Sequence, residues 1–415
     1  MKSRKKYKIK FKRIFIICFT FIILVVFISL FNKKKEILMT YLYGMKYDEV
    51  LDSLKEMGLE INTNYEYDDS VSKDSIISQS ILANSVINAG DKLDLVISKG
   101  KLDKDKMKSD GINELGKVPI MMYHGIKNMK SSETGNTGGN VDKDGYTRTS
   151  EAFREDLEFY YENGYRMVKL SDYVNGIIDI EYGYSPIVIT FDDGNANNIK
   201  VTGLDSNGNI VIDPSSAVGI LEEFKKNHKD APVTAIFFVT SNLFNQPEYD
   251  EKILNWLVDN GYEVGNHTWG HNNFSDISTS KTEEVVAKMY SKLDELIPNK
   301  YSKIVALPYG SPYNKTHQNY SHIISSNYDG KSYETIAALR VGWEPEVSPF
   351  NKNFDATFLK RCRAYDNNGN EFDIKMVFNS LKKTRYISDG NVNTIVTSLS
   401  NENLIVNGDK EIILY

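Results

Sequence analysis

From Val118 onward the chain alternates short apolar runs with amphipathic helical stripes, and that alternation limits the folds open to it. The runs are 118–126 (VPIMMYHGI), 166–170 (RMVKL), 186–194 (PIVITFDDG), 233–240 (VTAIFFVT), 262–268 (YEVGNHT), 303–310 (KIVALPYG), 334–343 (ETIAALRVGW) and 358–365 (FLKRCRAY). Between many of them lie the stripes Phe153/Leu157/Tyr160, Val218/Leu221/Phe224, Ile253/Leu254/Leu257 and Val285/Met289/Leu293, at helical spacing. Strands that are apolar almost throughout need cover on both faces, so the pattern predicts an α/β fold with a parallel sheet sheathed by helices. Seven or eight such strands favour a barrel over an open sheet, and a barrel of this kind gathers its chemistry at the C-terminal strand ends. His124, Asp192, Asp193, His267, Tyr309 and Trp343 all stand at such ends.

Two of these ends carry recognisable chemistry. Thr190-Phe191-Asp192-Asp193-Gly194 closes an apolar strand with two adjacent carboxylates, which are costly there unless a cation or hydrogen bonds compensate them. Successive side chains diverge, so one Asp can bind a metal while its neighbour faces a substrate. Asp-Asp-Gly is also a good turn sequence. His267-Thr268-Trp269-Gly270-His271 then places two of the chain's six His at i and i+4. On a helical turn that spacing puts both imidazoles on one face, as suits a single zinc ion. A solvated or N-capping His pair is the plainer alternative. One carboxylate with two His would leave a position open for water, as hydrolytic metal sites require.

In order and separation, TFDDG and HTWGH resemble the two metal motifs of the polysaccharide deacetylase family (the NodB homology domain, carbohydrate esterase family 4), over residues 116–385. The resemblance implies a distorted (β/α) barrel that removes N-acetyl groups with a divalent metal, zinc. It makes Asp193, His267 and His271 the metal ligands and Asp192 the general base for the attacking water. Pro308-Tyr309-Gly310 is similar to the family's third motif, which implies an oxyanion held by the backbone N–H of Tyr309. Many members have Arg where this chain has Ala306, and a C-terminal His where it has no His beyond His322. The chain instead resembles the branch with Met-Tyr-His on the first strand and an Arg late in the barrel. His124 is then expected to act as the acid or a substrate contact, and Arg361 or Arg363 to orient Asp192. Trp343 is expected either against the acetyl methyl or in the core, and His228, His317 and His322 are read as solvated.

The N-terminus reads as an anchor. Residues 14–31 (IFIICFTFIILVVFISLF) carry no charge, near the lower limit for crossing a bilayer. Eight Lys and Arg within residues 1–13 place that tail in the cytoplasm. No small-x-small cleavage site follows, so a retained transmembrane helix is expected with the remainder outside the cell. Beyond the tail, 42 basic residues face 56 acidic ones, a balance unsuited to nucleic acid. The only cysteines, Cys18 and Cys362, provide neither a disulfide framework nor a Cys metal cluster.

Residues 38–100 form a smaller α+β pattern. A stripe of Val50, Leu51, Leu54 and Met57 ending at Gly58 predicts a helix, followed by strand-like runs at 60–67, 76–80 and 92–98. The Gly-Met entry, Ile77-Ser78-Gln79-Ser80 and the Leu-Val-Ile-Ser-Lys-Gly ending resemble a PASTA domain, which implies either contact with peptidoglycan or a spacer. Residues 101–115 read as a charged linker and 386–415 as an extension without readable function. Asn195–Pro214 is expected to project as a hairpin, and the loop 128–146 to be a surface excursion.

Together these readings predict a membrane-anchored, metal-dependent N-deacetylase of an extracellular N-acetylated polysaccharide, with peptidoglycan ahead of poly-N-acetylglucosamine or another exopolysaccharide. An O-acetyl esterase on the same scaffold is one alternative. A catalytically inactive wall-binding barrel is the other, suggested by the missing Arg and C-terminal His.

Overall fold

The computed structural model describes residues 37–401, 403 and 410–415. The basic tail and the expected anchor, residues 1–13 and 14–31, lie outside the described residues. Among the described ones no helix is long and apolar enough to cross a membrane. The chain divides into two compact units, one ending at Leu102 and the other spanning Asp103–Tyr415.

The first unit is the small α+β pattern. Its helix, Tyr47–Glu56, lies on a three-stranded sheet in which Lys92–Ser98 is central, parallel to Glu60–Glu66 and antiparallel to Ile76–Gln79. Leu54 of the helix is buried with Leu59, Ile76, Leu93 and Leu95. Gly58 ends the helix at φ 79°, and a Cβ there would stand 2.8 Å from that of Ala89, so this stop needs glycine.

In the second unit all eight apolar runs become parallel strands: β1 (Ile120–Tyr123), β2 (Tyr165–Met167), β3 (Ser185–Phe191), β4 (Ile236–Val239), β5 (Glu263–Asn266), β6 (Ile304–Ala306), β7 (Ala337–Leu339) and β8 (Cys362–Arg363). Seven of them form one curled row, β7-β6-β5-β4-β3-β1-β8. β2 joins β3 along Ser185–Ile187, while β4 joins it at Thr190 and Phe191. The ends of the row meet at Leu359, whose N–H donates to Ala338 and whose carbonyl accepts from Arg340, both at 2.8 Å. The strand arrangement is therefore a curled parallel half-barrel whose ends touch through one isolated bridge, where the alternation predicts a barrel of seven or eight strands.

Four helices carry the expected stripes: α1 (Ser150–Glu162), α2 (Ala217–Asn227), α3 (Asp250–Asp259) and α4 (Thr279–Leu296). Thr149, Ser216 and Ser278 cap three of them by accepting a backbone N–H in the first turn. Strand alternation then separates two layers. Ile120, Val188, Ile236, Phe238, Ile304 and Leu339 fill the barrel. Met121, Tyr123, Ile189, Phe191, Phe237 and Val239 face the buried stripes of α1, α2 and α3.

Two boundaries need correction. The segment read as a linker holds a helix, Lys104–Ser109, and buries Met107, Ile112, Glu114 and Leu115, so all but its first two residues belong to the large unit. The extension after 385 does likewise: Tyr386 and Ile395 join the barrel core, and Thr394–Thr397 pairs with Glu411–Leu414. The first segment is mostly polar, and the second has strand-like apolar runs that nothing in the pattern ties to the barrel.

Candidate active site

The strand registers bring the chemistry to one mouth of the barrel. Phe191 of β3 is level with Tyr123 of β1 and Phe237 of β4, and the Asp192 N–H donates to the Tyr123 carbonyl at 2.9 Å. On β4 and β5, Val239 is level with Asn266, and the His267 N–H donates to Val239. His124, Asp192 and His267 thus follow directly on neighbouring strand ends, on the face that points into the barrel.

Period two would turn Asp193 outward towards the helices. Instead Asp193 takes φ 75° and Gly194 φ 64°, two successive left-handed residues that swing the carboxylate back. A Cβ on Gly194 would lie 2.2 Å from the Leu243 carbonyl, so only glycine fits. The Asp193 Oδ1 ends 3.2 Å from His267 Nε2 and 3.4 Å from His271 Nε2.

The HTWGH segment is not a helical turn, which corrects the expectation. Thr268 and His271 have φ of 66° and 52°. Asn266 Oδ1 accepts from the Thr268 N–H at 2.7 Å, and the Trp269 N–H donates to Val285 of α4 at 2.9 Å. These bonds fix an irregular loop that folds the second imidazole back over the first, with ring centroids 4.8 Å apart. The two His converge through left-handed residues rather than helical geometry.

One carboxylate and two imidazoles, with ligand atoms all within 4.8 Å of one another, form a donor set suited to zinc. The hydrogen bonding supports this fit. His267 Nδ1 lies 2.9 Å from the Ala306 carbonyl, which can only accept, so in the neutral ring the proton sits on Nδ1. That leaves a lone pair on Nε2, which is buried and has no aligned hydrogen-bond partner. Burial pushes the Asp193 carboxyl up, but His267 beside it holds it below its ordinary value.

Asp192 is built differently. It is 1% exposed and both of its oxygens accept from Arg361, Oδ1 from Nη1 and Oδ2 from Nη2, each at 2.7 Å. Arg361 is fully buried, and it also donates through Nε to the Arg340 carbonyl at 2.8 Å and through Nη1 to Thr190 Oγ1 at 3.2 Å. Burial is the largest influence on Asp192 and would raise its pKa. Arg361, His267 and the hydrogen bonds from Arg361 outweigh it, and the group is held well below the usual carboxylate range. Arg361, not Arg363, therefore stands on Asp192. Alternation from Leu359 turns both arginines inward, but the deeper one reaches Asp192 from below and the outer one stops at the rim.

His124 Nε2 lies 3.9 Å from Asp192 Oδ2, too far for a hydrogen bond. The Asn198 side chain holds its carbonyl at 2.6 Å. Burial pushes the imidazole below its ordinary pKa, partly offset by Asp192 and Asp193. Pro308 is buried, while Tyr309 is 58% exposed at φ 58°, its ring 4.7 Å from that of His271. Trp343 is not a core residue: it is 36% exposed and lies between Phe372 and Arg363. Of the other His, His228 and His322 are held by Glu158 and Glu283 rather than simply solvated.

The loop 128–146 is tied into this mouth, a role sequence reading missed. Arg148, 2% exposed, pairs with Asp156 at 2.7 Å and Asp366 at 2.6 Å, and Asp366 Oδ2 also accepts from the Gly139 N–H at 2.8 Å. The loop ends with the Tyr146 ring 4.8 Å from that of His124. A single Arg between a Gly-rich loop and a capped helix is the only sequence trace of this anchoring.

Comparison with known families gives two matches along the chain. Residues 181–323 match the polysaccharide deacetylase family model and residues 39–99 match the PASTA domain model. The chain carries a PASTA domain followed by a polysaccharide deacetylase domain. The matched deacetylase segment contains Asp192, Asp193, His267, His271 and Tyr309, but neither His124 nor Arg361. A probable serine/threonine-protein kinase of Clostridium perfringens is 43% identical over 88 residues, 21% of this chain and 12% of the kinase. The chain thus spans about an eighth of that relative's length. Among solved structures, the Streptococcus pyogenes deacetylase PplD with acetate is similar at 16% identity and TM-score 0.44, covering 63% of this chain and 98% of that one. The Bacillus subtilis peptidoglycan deacetylase PdaC is similar at 21% identity and TM-score 0.24, covering 34% and 55%.

Proposed function

We propose that the deacetylase domain is a metal-dependent hydrolase that removes acetyl groups from N-acetylated amino sugars of an extracellular polysaccharide, with peptidoglycan the favoured polymer. The observation that carries this reading is the meeting of Asp193, His267 and His271 around one point, with the Arg361-bound Asp192 beside them. A divalent cation bound by those three residues would polarise the acetyl carbonyl and acidify water.

The chain's own residues supply the rest. Asp192, kept ionised by Arg361, takes the proton from the attacking water while the guanidinium fixes its orientation. The backbone N–H of Tyr309 is assigned to the oxyanion, and His124 to the leaving amine or to the sugar that carries it. Exposed Tyr146, Tyr309 and Trp343 stand beside His124, His271 and Arg363 and offer faces for sugar rings. The inactive reading drew on the absence of an orienting Arg at position 306 and of a C-terminal His; Arg361, just before β8, makes the first of these contacts.

Peptidoglycan is favoured because the chain carries a PASTA domain, which we assign to wall contact. Residues 14–31 are assigned to the membrane, with both domains outside the cell. The deciding experiment measures acetate release from peptidoglycan and chito-oligosaccharides, with and without chelator, for wild type and Asp192→Asn. Release that is lost with chelator and in the variant supports the reading. Silence of the wild type on every N- and O-acetylated glycan would leave a wall-binding protein.

A further inference from the structure

Arg361, just before β8, and Arg363, its last residue, face the same side, and Asp192 occupies the first. Arg363 has no such partner. It is 8% exposed, forms no ion pair among the described residues, and its Nε is buried without a hydrogen-bond partner. Only the Asp144 carbonyl receives its Nη1. The guanidinium is packed among rings instead, with Cζ 3.7 Å from the Trp343 ring, 5.0 Å from Tyr146 and 5.1 Å from Tyr365.

No nearby carboxylate pairs with this charge, although Asp144 and Asp142 act on it through space. Asp142 spends its oxygens on the N–H groups of Asp144, Tyr146 and Thr147, between 2.7 and 3.1 Å. Asp144 offers its carbonyl, not its side chain. A cation buried without a directly paired anion is costly, and distant carboxylates and aromatic faces compensate it only in part. The cost falls at a telling place, because Tyr146 touches both Arg363 and His124. Tyr146 and Trp343 are each 36% exposed, so their rings line open space at the rim. The Arg148–Asp366 pair fixes the loop that carries Tyr146, so the arrangement is held ready in advance.

We propose that Arg363, framed by Trp343 and Tyr146, is a specificity-determining residue that receives an oxyanion substituent, a carboxylate or a phosphate, on the substrate sugar. This rests on the deacetylase reading and narrows it to acidic N-acetylated sugars. The rings support the pyranose face, and the guanidinium meets the planar or tetrahedral anion through its remaining N–H edge.

The test uses the full-length chain and four oligosaccharides of equal length. These are one containing N-acetylmuramic acid with a free carboxylate, its methyl ester, a 6-phosphorylated chito-oligosaccharide and the plain chito-oligosaccharide. Acetate release by the wild type should give kcat/KM about ten-fold higher for at least one anionic substrate than for its neutral counterpart, chiefly through KM. Whichever acid shows the preference identifies the anion. In Arg363→Gln that ratio should collapse to within about two-fold, and raised salt should shrink it in the wild type. Equal wild-type rates within both pairs overturn the proposal, and this comparison needs no folded variant. Release from neutral sugars without any preference removes the role of Arg363 and leaves the deacetylase standing. No release from any substrate removes both.

Discussion

Arg361 grips Asp192 through two parallel hydrogen bonds of 2.7 Å each, across 169 residues of chain and within a fully buried setting. The pair makes the base of the site and the closing strand of the barrel interdependent. Breaking such a pair by removing one partner is far more costly than removing both. Arg361→Met should therefore lose about 3–5 kcal/mol of stability. Arg361→Met/Asp192→Asn should recover a substantial part of that loss. Urea unfolding of the two single variants and the double variant gives the coupling directly, and additive losses would contradict it.

The two adjacent carboxylates should separate cleanly by function. Asp193→Asn, His267→Ala and His271→Ala should each lower bound divalent metal, measured by elemental analysis after dialysis. Asp192→Asn should keep the metal and lose acetate release by at least about 10²-fold, as expected for a general base. Loss of metal in Asp192→Asn would mean that the roles have been assigned to the wrong neighbours.

His124 has no hydrogen bond from either ring nitrogen, yet its Nε2 stands 3.9 Å from Asp192. His124→Ala should reduce kcat by about 10²-fold and alter the pH profile of turnover. Full turnover with an unchanged profile would return the residue to a packing role.

Far from the mouth, Glu114 ties the start of the large unit to the C-terminal segment. It accepts from the Tyr386 hydroxyl at 2.9 Å and from the N–H groups of Val396 at 2.8 Å and Asp389 at 3.3 Å. Burial first, and the nearby Asp389 second, raise its pKa well above 4.5 despite those donors. The folded chain thus holds a proton that the unfolded chain releases near pH 4.5. This contribution to stability is complete below that pH and falls as pH rises towards the higher folded value, by at most about 1.4 kcal/mol per pH unit. Glu114→Gln should flatten that part of the slope in urea midpoints measured across the range, and an unchanged slope would refute the assignment.

The barrel was legible because β1 to β8 are apolar nearly throughout and the helices between them repeat at an unambiguous period. The four residues Asp192, Asp193, His267 and His271 were legible because paired carboxylates and paired His at strand ends are chemically conspicuous. What could not be read was how they converge. The left-handed turns at Asp193, Thr268 and His271 leave only weak traces in residue type, so HTWGH looked helical. Choosing between Arg361 and Arg363 required the depth of a two-residue strand, which apolar patterning does not fix. Tyr146 was hidden because its position comes from the buried Arg148–Asp366 pair, a contact between segments far apart in sequence.

The strand that closes the row is also the last to be synthesised, and it lies against the first. A chain cut before Arg361 and this strand would keep Asp193, His267 and His271 but lack the guanidinium that holds the neighbouring Asp192 ionised and aimed. That contact exists only in a chain that extends past residue 361. The same cut would take Cys362, Ala364, Ile374 and Leu381 out of the core, so the carboxylate's partner and the packing around it depend on one late segment of chain.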